Sequence, residues 1–331
     1  MQGAMRLRLN YPEPSFQHLD DMEWKPVLAQ DHSGVRKEAL EKWLNYEPRV
    51  LAFAGKWDPG MIIAQHGHMC PNTIYLLEGS MECGGVECPA GTNIMLDIGT
   101  PYGPNITGPD GVIVYEVMGG YPFVWYADPE GFAALKKERG ITQLANPHLG
   151  DESEVQSRAT YGPDGMLTTP IAARPARPLA KPRFRHADEC EWIEVLAQEQ
   201  NGKRISAWEK WLDFGPQAMC TLTRIDPGMI IPTRGRNCIQ TILVTDGSMS
   251  VGGKLCTRGM HITLEVGTPL PTLVAGPEGV SLYEVRLGDP TAWYVHPDPF
   301  DQLDFEHGAV PLPAPKLDLP SWLGERDSIY D

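Results

Sequence analysis

Short apolar runs separated by turn sequences make up most of the chain, and helical periodicity is scarce. Residues 74–77 and 112–117 are such runs, and turns at residues 78–80 and 108–111 follow or precede them. The chain holds 34 glycines and 31 prolines, which supply many further turns. Short strands at intervals of about 8–12 residues are typical of β-sandwiches and barrels. The pattern predicts an all-β fold with one helix near the end of each domain, the first over residues 129–139.

The chain contains one domain twice. A shift of 168 positions, from 18 to 186, aligns residues 18–129 with residues 186–297 without a gap. A repeat of this length is a duplicated domain, because solenoid units span about 20–50 residues. What both copies keep is expected to specify the fold, and what differs is where function is expected. The predicted organisation is an N-terminal barrel at 1–140, a Pro-rich linker at 141–185, a C-terminal barrel at 186–308 and a Pro-rich tail at 309–331.

Composition narrows the classes of function. The formal net charge of −15 argues against nucleic-acid binding, which requires a basic surface, and against adhesion to anionic membranes. No apolar run reaches the roughly 18 residues of a transmembrane helix, and the N-terminus lacks the apolar segment of a secretory signal. The seven cysteines show no close-spaced disulfide framework. We therefore expect a cytoplasmic protein, a monomer or homodimer, whose partner is a small-molecule substrate.

The largest difference between the copies is a pair of histidines. His66 and His68 in the first copy are replaced by Arg234 and Arg236 in the second. Residues i and i+2 of a strand face the same side, so the two imidazoles point together. Such a pair suits a borderline metal such as Fe, Mn, Ni, Cu or Zn, but a stable centre needs a third ligand.

Around these histidines the sequence resembles the two motifs of the cupin superfamily. The matching positions are Gly60, His66, His68 and residues 75–79 for the first motif, and Pro89, Gly91 and residues 99–102 for the second. The resemblance covers both repeats. It implies a bicupin, that is, two tandem double-stranded β-helix barrels of jelly-roll type.

The residues leading into the first motif are similar to those of one cupin subgroup. This subgroup contains the acetylacetone-cleaving and dihydroxyacetophenone dioxygenases and the anti-sigma-factor cupins. The matching positions are Trp24 and residues 34–37, 43–44 and 58–60. The similarity implies one divalent transition metal, iron first and zinc, manganese or nickel as alternatives. It also implies dioxygenase chemistry on a diketone or an aromatic ketone.

Two positions of the first copy depart from the cupin pattern. The position of the usual glutamate, separated by six residues from the turn glycine Gly79, is Asn72, and that of the usual second-motif histidine is Tyr102. Asn72 either binds a metal weakly or orients substrate or water. Tyr102 is a phenolate ligand, a proton donor or a buried residue with a satisfied hydroxyl. A substrate carboxylate or enolate is expected to complete the shell.

Groups that both copies keep are interpreted as structural. Cys70 has its counterpart in Cys238, which favours a packing role for both thiols. Glu116 and Glu284 occupy the same place on an otherwise apolar strand. We expect these two carboxylates to satisfy a shared turn.

The second copy is predicted to bind no metal. Arg234, Arg236, Gln240 and Leu270 stand at the four ligand positions, and guanidinium groups do not ligate metals. Two interpretations remain open for the arginines. They bind a carboxylate or phosphate with Gln240 beside them, or they brace the structure against acidic residues of the linker or the other barrel.

Three functional hypotheses follow. The first is a metal-dependent enzyme acting on a small carbonyl- or hydroxyl-bearing molecule, in which Ile74, Leu76 and Met95 shape the pocket. The second is a non-catalytic binding or sensor protein with an anion pocket at Arg234 and Arg236. The third is a structural bicupin whose duplication serves assembly.

Overall fold

The computed structural model describes residues 11–120, 122–144, 160–161, 167–168, 172–176, 179–296 and 308–313. Within these residues nearly all regular structure is β-strand, and the all-β prediction is confirmed. The helix predicted over 129–139 is α1 (Pro129–Glu138), which Asp128 caps by accepting a hydrogen bond from the Gly131 backbone. Its counterpart after residue 296 lies outside the described residues, as do the N-terminal ten residues and most of the predicted linker and tail. None of the described helices has the length and hydropathy needed to cross a bilayer.

The strands of the first repeat are short and separated by tight turns. In chain order they are β1 (Ser15–His18), β2 (Lys25–His32), β3 (Val35–Glu47), β4 (Val50–Trp57), β5 (Ile62–Ile63), β6 (His66–His68), β7 (Asn72–Cys83), β8 (Val86–Pro89), β9 (Thr92–Leu96), β10 (Asn105–Met118), β11 (Val124–Tyr126) and β12 (Ile141–Gln143). A separate hairpin follows, with β13 (Thr160–Tyr161) and β14 (Leu167–Thr168).

The second repeat has the same succession of strands. They are β15 (Arg183–His186), β16 (Ile193–Gln200), β17 (Lys203–Phe214), β18 (Met219–Ile225), β19 (Ile230–Ile231), β20 (Arg234–Arg236), β21 (Ile239–Val251), β22 (Lys254–Thr257), β23 (Met260–Leu264), β24 (Leu273–Leu287), β25 (Ala292–Tyr294) and β26 (Ala309–Pro311). Two 3-10 turns, Leu19–Asp21 and Ala187–Glu189, follow β1 and β15.

Two large sheets repeat one topology. The first has the order β12-β2-β3-β4-β10-β7-β9-β15, and the second has β26-β16-β17-β18-β24-β21-β23-β1. The orders correspond strand for strand, and two short strands join each sheet at the same places. The first strand of each repeat belongs to the sheet of the other repeat, because β1 pairs with β23 and β15 pairs with β9. Strands β12 and β15 thus fall at the two ends of the segment predicted as a linker.

By compactness the chain divides into two units. One holds residues 18–193 and 210–222, and the other holds residues 194–209 and 223–313 together with 11–17. Each has its own buried apolar core, and the cluster of the first includes Leu28, Met61, Ile74 and Leu76. The second core is made largely from the equivalent strands.

A buried glutamine anchors the segment ahead of the site in both repeats. Gln30 Nε2 donates to the Ile62 carbonyl at 2.7 Å, and Gln198 Nε2 donates to the Ile230 carbonyl at 2.7 Å. Because these bonds lie within the interior, they fix β5 and β19, and thereby the start of β6 and β20. The strands that carry the differing residues therefore begin from the same framework.

Candidate functional site

Strand β6 brings the two predicted histidines together. His66 and His68 are 7% and 8% exposed, and their ring centroids are 5.1 Å apart. The strand pairs with β11, where Tyr126 lies opposite His66 and Val124 lies opposite His68. The side chains thus share one face of the strand inside the first repeat, as their spacing predicts.

The glycine between the histidines is required by packing. A Cβ atom at Gly67 would lie 2.7 Å from both Trp125 Nε1 and the Thr100 carbonyl oxygen, closer than such atoms approach. The equivalent Gly235 faces Trp293 in the same way. Both copies therefore press this strand against a tryptophan, and only the flanking side chains differ in chemistry.

Hydrogen bonding and burial keep the histidines suited to metal binding. His66 Nδ1 lies 2.8 Å from the Ala64 carbonyl oxygen, and since a carbonyl only accepts, Nδ1 carries the proton and Nε2 the lone pair. Burial, followed by the electrostatic interaction with His66, holds the pKa of His68 well below its usual value. A neutral imidazole is the form that coordinates a metal.

Tyr102 completes this cluster from the other side. Its backbone forms a bridge with His66, with N–O distances of 3.1 and 2.8 Å, and its hydroxyl lies 3.4 Å from His68 Nε2. The tyrosine ring is buried, with its centroid 4.5 Å from that of His66. Burial, followed by the nearby Glu116, raises the pKa of the Tyr102 hydroxyl well above its usual value.

Asn72 lies on β7 and is oriented by a carboxyl group. Its Nδ2 donates to Glu116 Oε1 at 2.7 Å, whereas its Oδ1 is buried and has no hydrogen-bond partner in the described part of the chain. Burial, the largest cause, and the nearby Glu41 together raise the pKa of Glu116 to about 8, against the hydrogen bond from Asn72, which lowers it. No hydrogen bond joins Asn72 to the histidines among the described residues.

The glutamates are the functional neighbours that sequence reasoning missed. Glu116 was expected to satisfy a turn, but its partner is the side chain of Asn72. Glu41 on β3 is also buried, which raises its pKa to about 7, and Trp43 Nε1 donates to it at 2.6 Å. The sequence held a signal of this pairing, because the second copy also has an amide and a carboxylate at these two positions, where Gln240 donates to Glu284.

The donor set fits a transition metal held by few protein ligands. No cluster of three His, Cys, Asp or Glu side chains with metal-binding geometry occurs among the described residues. The two imidazoles and the Tyr102 hydroxyl remain as donors, and the unpartnered Oδ1 of Asn72 is a further buried acceptor. Such a site leaves coordination positions for substrate, as catalytic centres require. Cys70 lies instead in an apolar cluster with Leu51 and Phe53.

The second copy holds charged groups at the matching positions. Arg234 and Arg236 flank Gly235 on β20, and Leu270 bridges to Arg234 through its backbone. Gln240 Nε2 donates to Glu284 Oε2 at 2.5 Å. This repeat therefore has no imidazole on β20, the strand equivalent to the one that carries His66 and His68 in the first repeat.

Comparisons with known proteins bear on the fold. No protein-family model matches the chain, and no curated protein matches it. A candidate dioxygenase from Nostoc punctiforme superposes with a TM-score of 0.55 at 12% identity, over 86% of this chain and 87% of its own. Oxalate decarboxylase from Bacillus subtilis superposes with a TM-score of 0.52 at 15% identity, over 95% and 85%.

A further structure of that decarboxylase, studied for its Mn(II) centres, has a TM-score of 0.52 at 15% identity over 96% and 87% of the two chains. At such identities the likeness concerns the fold, and the narrower similarity to acetylacetone-type dioxygenases stays a prediction. Over most of its length the chain has the bicupin fold that the two sequence motifs implied.

Proposed function

We propose that this chain is a metal-dependent bicupin enzyme whose first repeat holds one divalent transition metal. Its substrate is a small organic molecule that carries a carbonyl or hydroxyl group. A metal bound there supplies Lewis-acid activation of a substrate oxygen and, as Fe(II), reactivity toward dioxygen. Iron is the metal that we favour, ahead of zinc, manganese and nickel.

One observation carries the proposal. Two buried imidazoles share a strand face, and a tyrosine hydroxyl lies 3.4 Å from one of them. Imidazole nitrogens and a phenol oxygen that lie this close together in the interior are suitable donors for one transition-metal ion. We therefore propose His66, His68 and Tyr102 as the protein ligands.

The remaining groups bind and orient the substrate. Because Glu116 holds the amide nitrogen of Asn72, the Oδ1 atom is presented as a fixed acceptor for a substrate hydroxyl or a water. Ile74, Leu76 and Met95 are fully buried, and they exclude water from the interior next to the site. In the proposed site His66, His68 and Tyr102 thus bind the metal, and Asn72 orients the substrate.

Elemental analysis tests the site. We expect about one equivalent of a transition metal in the wild-type protein, or after reconstitution with Fe(II), Mn(II) or Zn(II). The double variant His66→Ala, His68→Ala is expected to retain none, because it removes both nitrogen donors. The identity of the metal then separates oxygen chemistry from Lewis-acid chemistry.

The second repeat supplies the matched control. Arg234→Ala with Arg236→Ala changes the equivalent positions and is expected to leave the metal content unchanged. Folding of both double variants is checked by circular dichroism. Metal that persists without the histidines, or metal that never binds the folded wild-type protein, would contradict the proposal.

A further inference from the structure

The second repeat contains a buried cluster of charges. Arg286 on β24 is 2% exposed and lies 2.8 Å from Glu209 Oε1 and 3.2 Å from Glu284 Oε2. Glu284 also accepts hydrogen bonds from Gln240 at 2.5 Å and from Thr223 at 2.7 Å. One arginine therefore serves both carboxylates, and the two glutamates need no further cation.

Two more arginines lie beside this completed group. In the described part of the chain, neither Arg234 nor Arg236 forms an ion pair with a carboxylate. Nη1 of Arg236 donates to the Pro290 carbonyl, while its Nε is buried and has no hydrogen-bond partner among the described residues. Burial, together with the charges of Arg286 and Arg234, lowers the pKa of Arg236 to about 9. The positive charge at this place thus exceeds the negative charge.

The first repeat shows that Arg234 and Arg236 are not needed for the fold, because it has His66 and His68 at their positions. It keeps both glutamates, as Glu41 and Glu116, and has Met118 in place of Arg286. Arg286 alone is enough to pair the two carboxylates of the second repeat. Within the described residues Arg234 and Arg236 are therefore surplus to internal pairing. Both are partly buried, and a cation partly removed from water is costly unless an anion joins it.

We propose that the second repeat binds a small organic carboxylate between the guanidinium groups of Arg236 and Arg234. The two side chains belong to one face of β20, two residues apart, and a carboxylate accepts two parallel N–H bonds from such donors. Three guanidinium groups face two carboxylates, so a singly charged ligand balances the cluster. A doubly charged phosphate or sulfate would leave excess negative charge in the interior. This site is independent of the metal in the first repeat.

Isothermal titration in a low-salt, chloride-free buffer tests the site. The probes are acetate and benzoate, and the matched neutral probes are acetamide and benzamide. We expect saturable binding of the carboxylates and none of the amides. Arg236→Met is expected to weaken carboxylate binding at least about thirtyfold, and Arg236→Lys less, because it keeps the charge but loses the forked donors.

Two controls separate this site from the rest of the protein. The variant His66→Ala, His68→Ala is expected to bind carboxylates as the wild type does, so failure of the metal proposal leaves this one intact. Arg204→Met removes an exposed guanidinium that pairs with Glu194 and is expected to change nothing. Sulfate or chloride that saturates the site in preference to the carboxylates would overturn the assignment.

Stability without ligand gives a second measurement. Because Arg236→Met removes a surplus, partly buried charge, its melting temperature in ligand-free buffer is expected to equal or exceed that of the wild type. Acetate is expected to raise the melting temperature of the wild type and not that of the variant. If the variant instead melts lower and no carboxylate binds, Arg236 is braced by an acid of the chain itself and the proposal is wrong.

Discussion

Among single residues, Tyr102 is the one whose proposed role as a ligand has the clearest consequence for pH dependence. Its hydroxyl lies 3.4 Å from His68 Nε2, and burial keeps the proton on it. Binding a metal through this oxygen must release that proton, whereas His68 is already neutral because its pKa is low. A tyrosine in this position therefore makes metal binding depend on pH in a way that a histidine would not.

Replacing Tyr102 tests this role. Below the pKa of the hydroxyl, we expect the metal affinity of the wild type to rise about tenfold per pH unit, since one proton is released. Tyr102→Phe is expected to flatten this slope and to weaken binding by more than the about 10–100-fold that an outer-shell partner contributes. Metal titrations between neutral and mildly alkaline pH measure both effects. An unchanged slope in Tyr102→Phe would assign the tyrosine to proton donation instead.

Among the strands, β10 and β24 occupy equivalent places in the two repeats, but the pKa of their shared glutamate is shifted in opposite directions. Both carry a buried glutamate, Glu116 or Glu284, but Met118 in the first is Arg286 in the second. In β24 burial opposes ionisation of Glu284, but Arg286, then Arg236, the hydrogen bond from Thr223 and Arg234, lower its pKa to about 2. The residue two positions along the strand, on the same face, therefore contributes most to keeping this carboxylate charged.

Arg286→Met copies the first repeat into the second and is expected to be strongly destabilising. It removes the guanidinium that forms ion pairs with both Glu209 and Glu284, and breaking a buried pair in this way costs about 3–5 kcal/mol. Urea denaturation at neutral pH measures the loss, which is expected to shrink in mild acid as the glutamates take up protons. Arg204→Met, at an exposed ion pair on β17, is the control and is expected to change little. Equal losses in the two variants would contradict this account.

The sequence predicted the strands and the histidine pair better than the groups behind them. Alternating apolar runs and turns predicted the strands, and the i, i+2 spacing predicted that His66 and His68 lie on one face. The bond from Asn72 to Glu116 joins residues 44 positions apart, and no local pattern carries it. The pairing of β15, from the second repeat, with β9, from the first, could not be predicted either, because the two strands are distant in the sequence. Comparing the copies at every buried ionisable position would have revealed Arg286.

At the scale of the whole molecule, the repeats balance the same pair of buried glutamates in two ways. In the second, Arg286 neutralises them. In the first, Glu41 and Glu116 have pKa values raised to about 7 and about 8, chiefly by burial. A raised carboxyl pKa gives stability that is complete below the unfolded value of 4.5 and is lost as pH rises through the folded value. The lowered pKa of Glu284 acts in the other direction, with its contribution lost below pH 4.5.

The stability of the two repeats should therefore depend differently on pH between 6.5 and 8. In this window the first repeat loses stability as the pH rises, because Glu41 and Glu116 lose their protons. Below 6.5 the comparison blurs, because the lowered pKa values of His68 and His261 destabilise both repeats as pH falls. Hydrogen exchange of the chelator-treated protein, corrected for intrinsic rates, resolves the repeats peptide by peptide. We expect protection of β7 and β10 to fall across the window while that of β21 and β24 stays level.

Glu116→Gln isolates the cause of this difference. The amide keeps the shape of the carboxyl group but does not ionise, so the first repeat of this variant is expected to lose most of its pH dependence in the same window. Glu284→Gln in the second repeat breaks the pairing with Arg286 and is expected to lower protection there at every pH in the window. Parallel falls in both repeats of the wild type would mean that the duplicated glutamates titrate alike. The charge difference between the copies would then have no thermodynamic consequence, and the divergence of the two sites would need another origin.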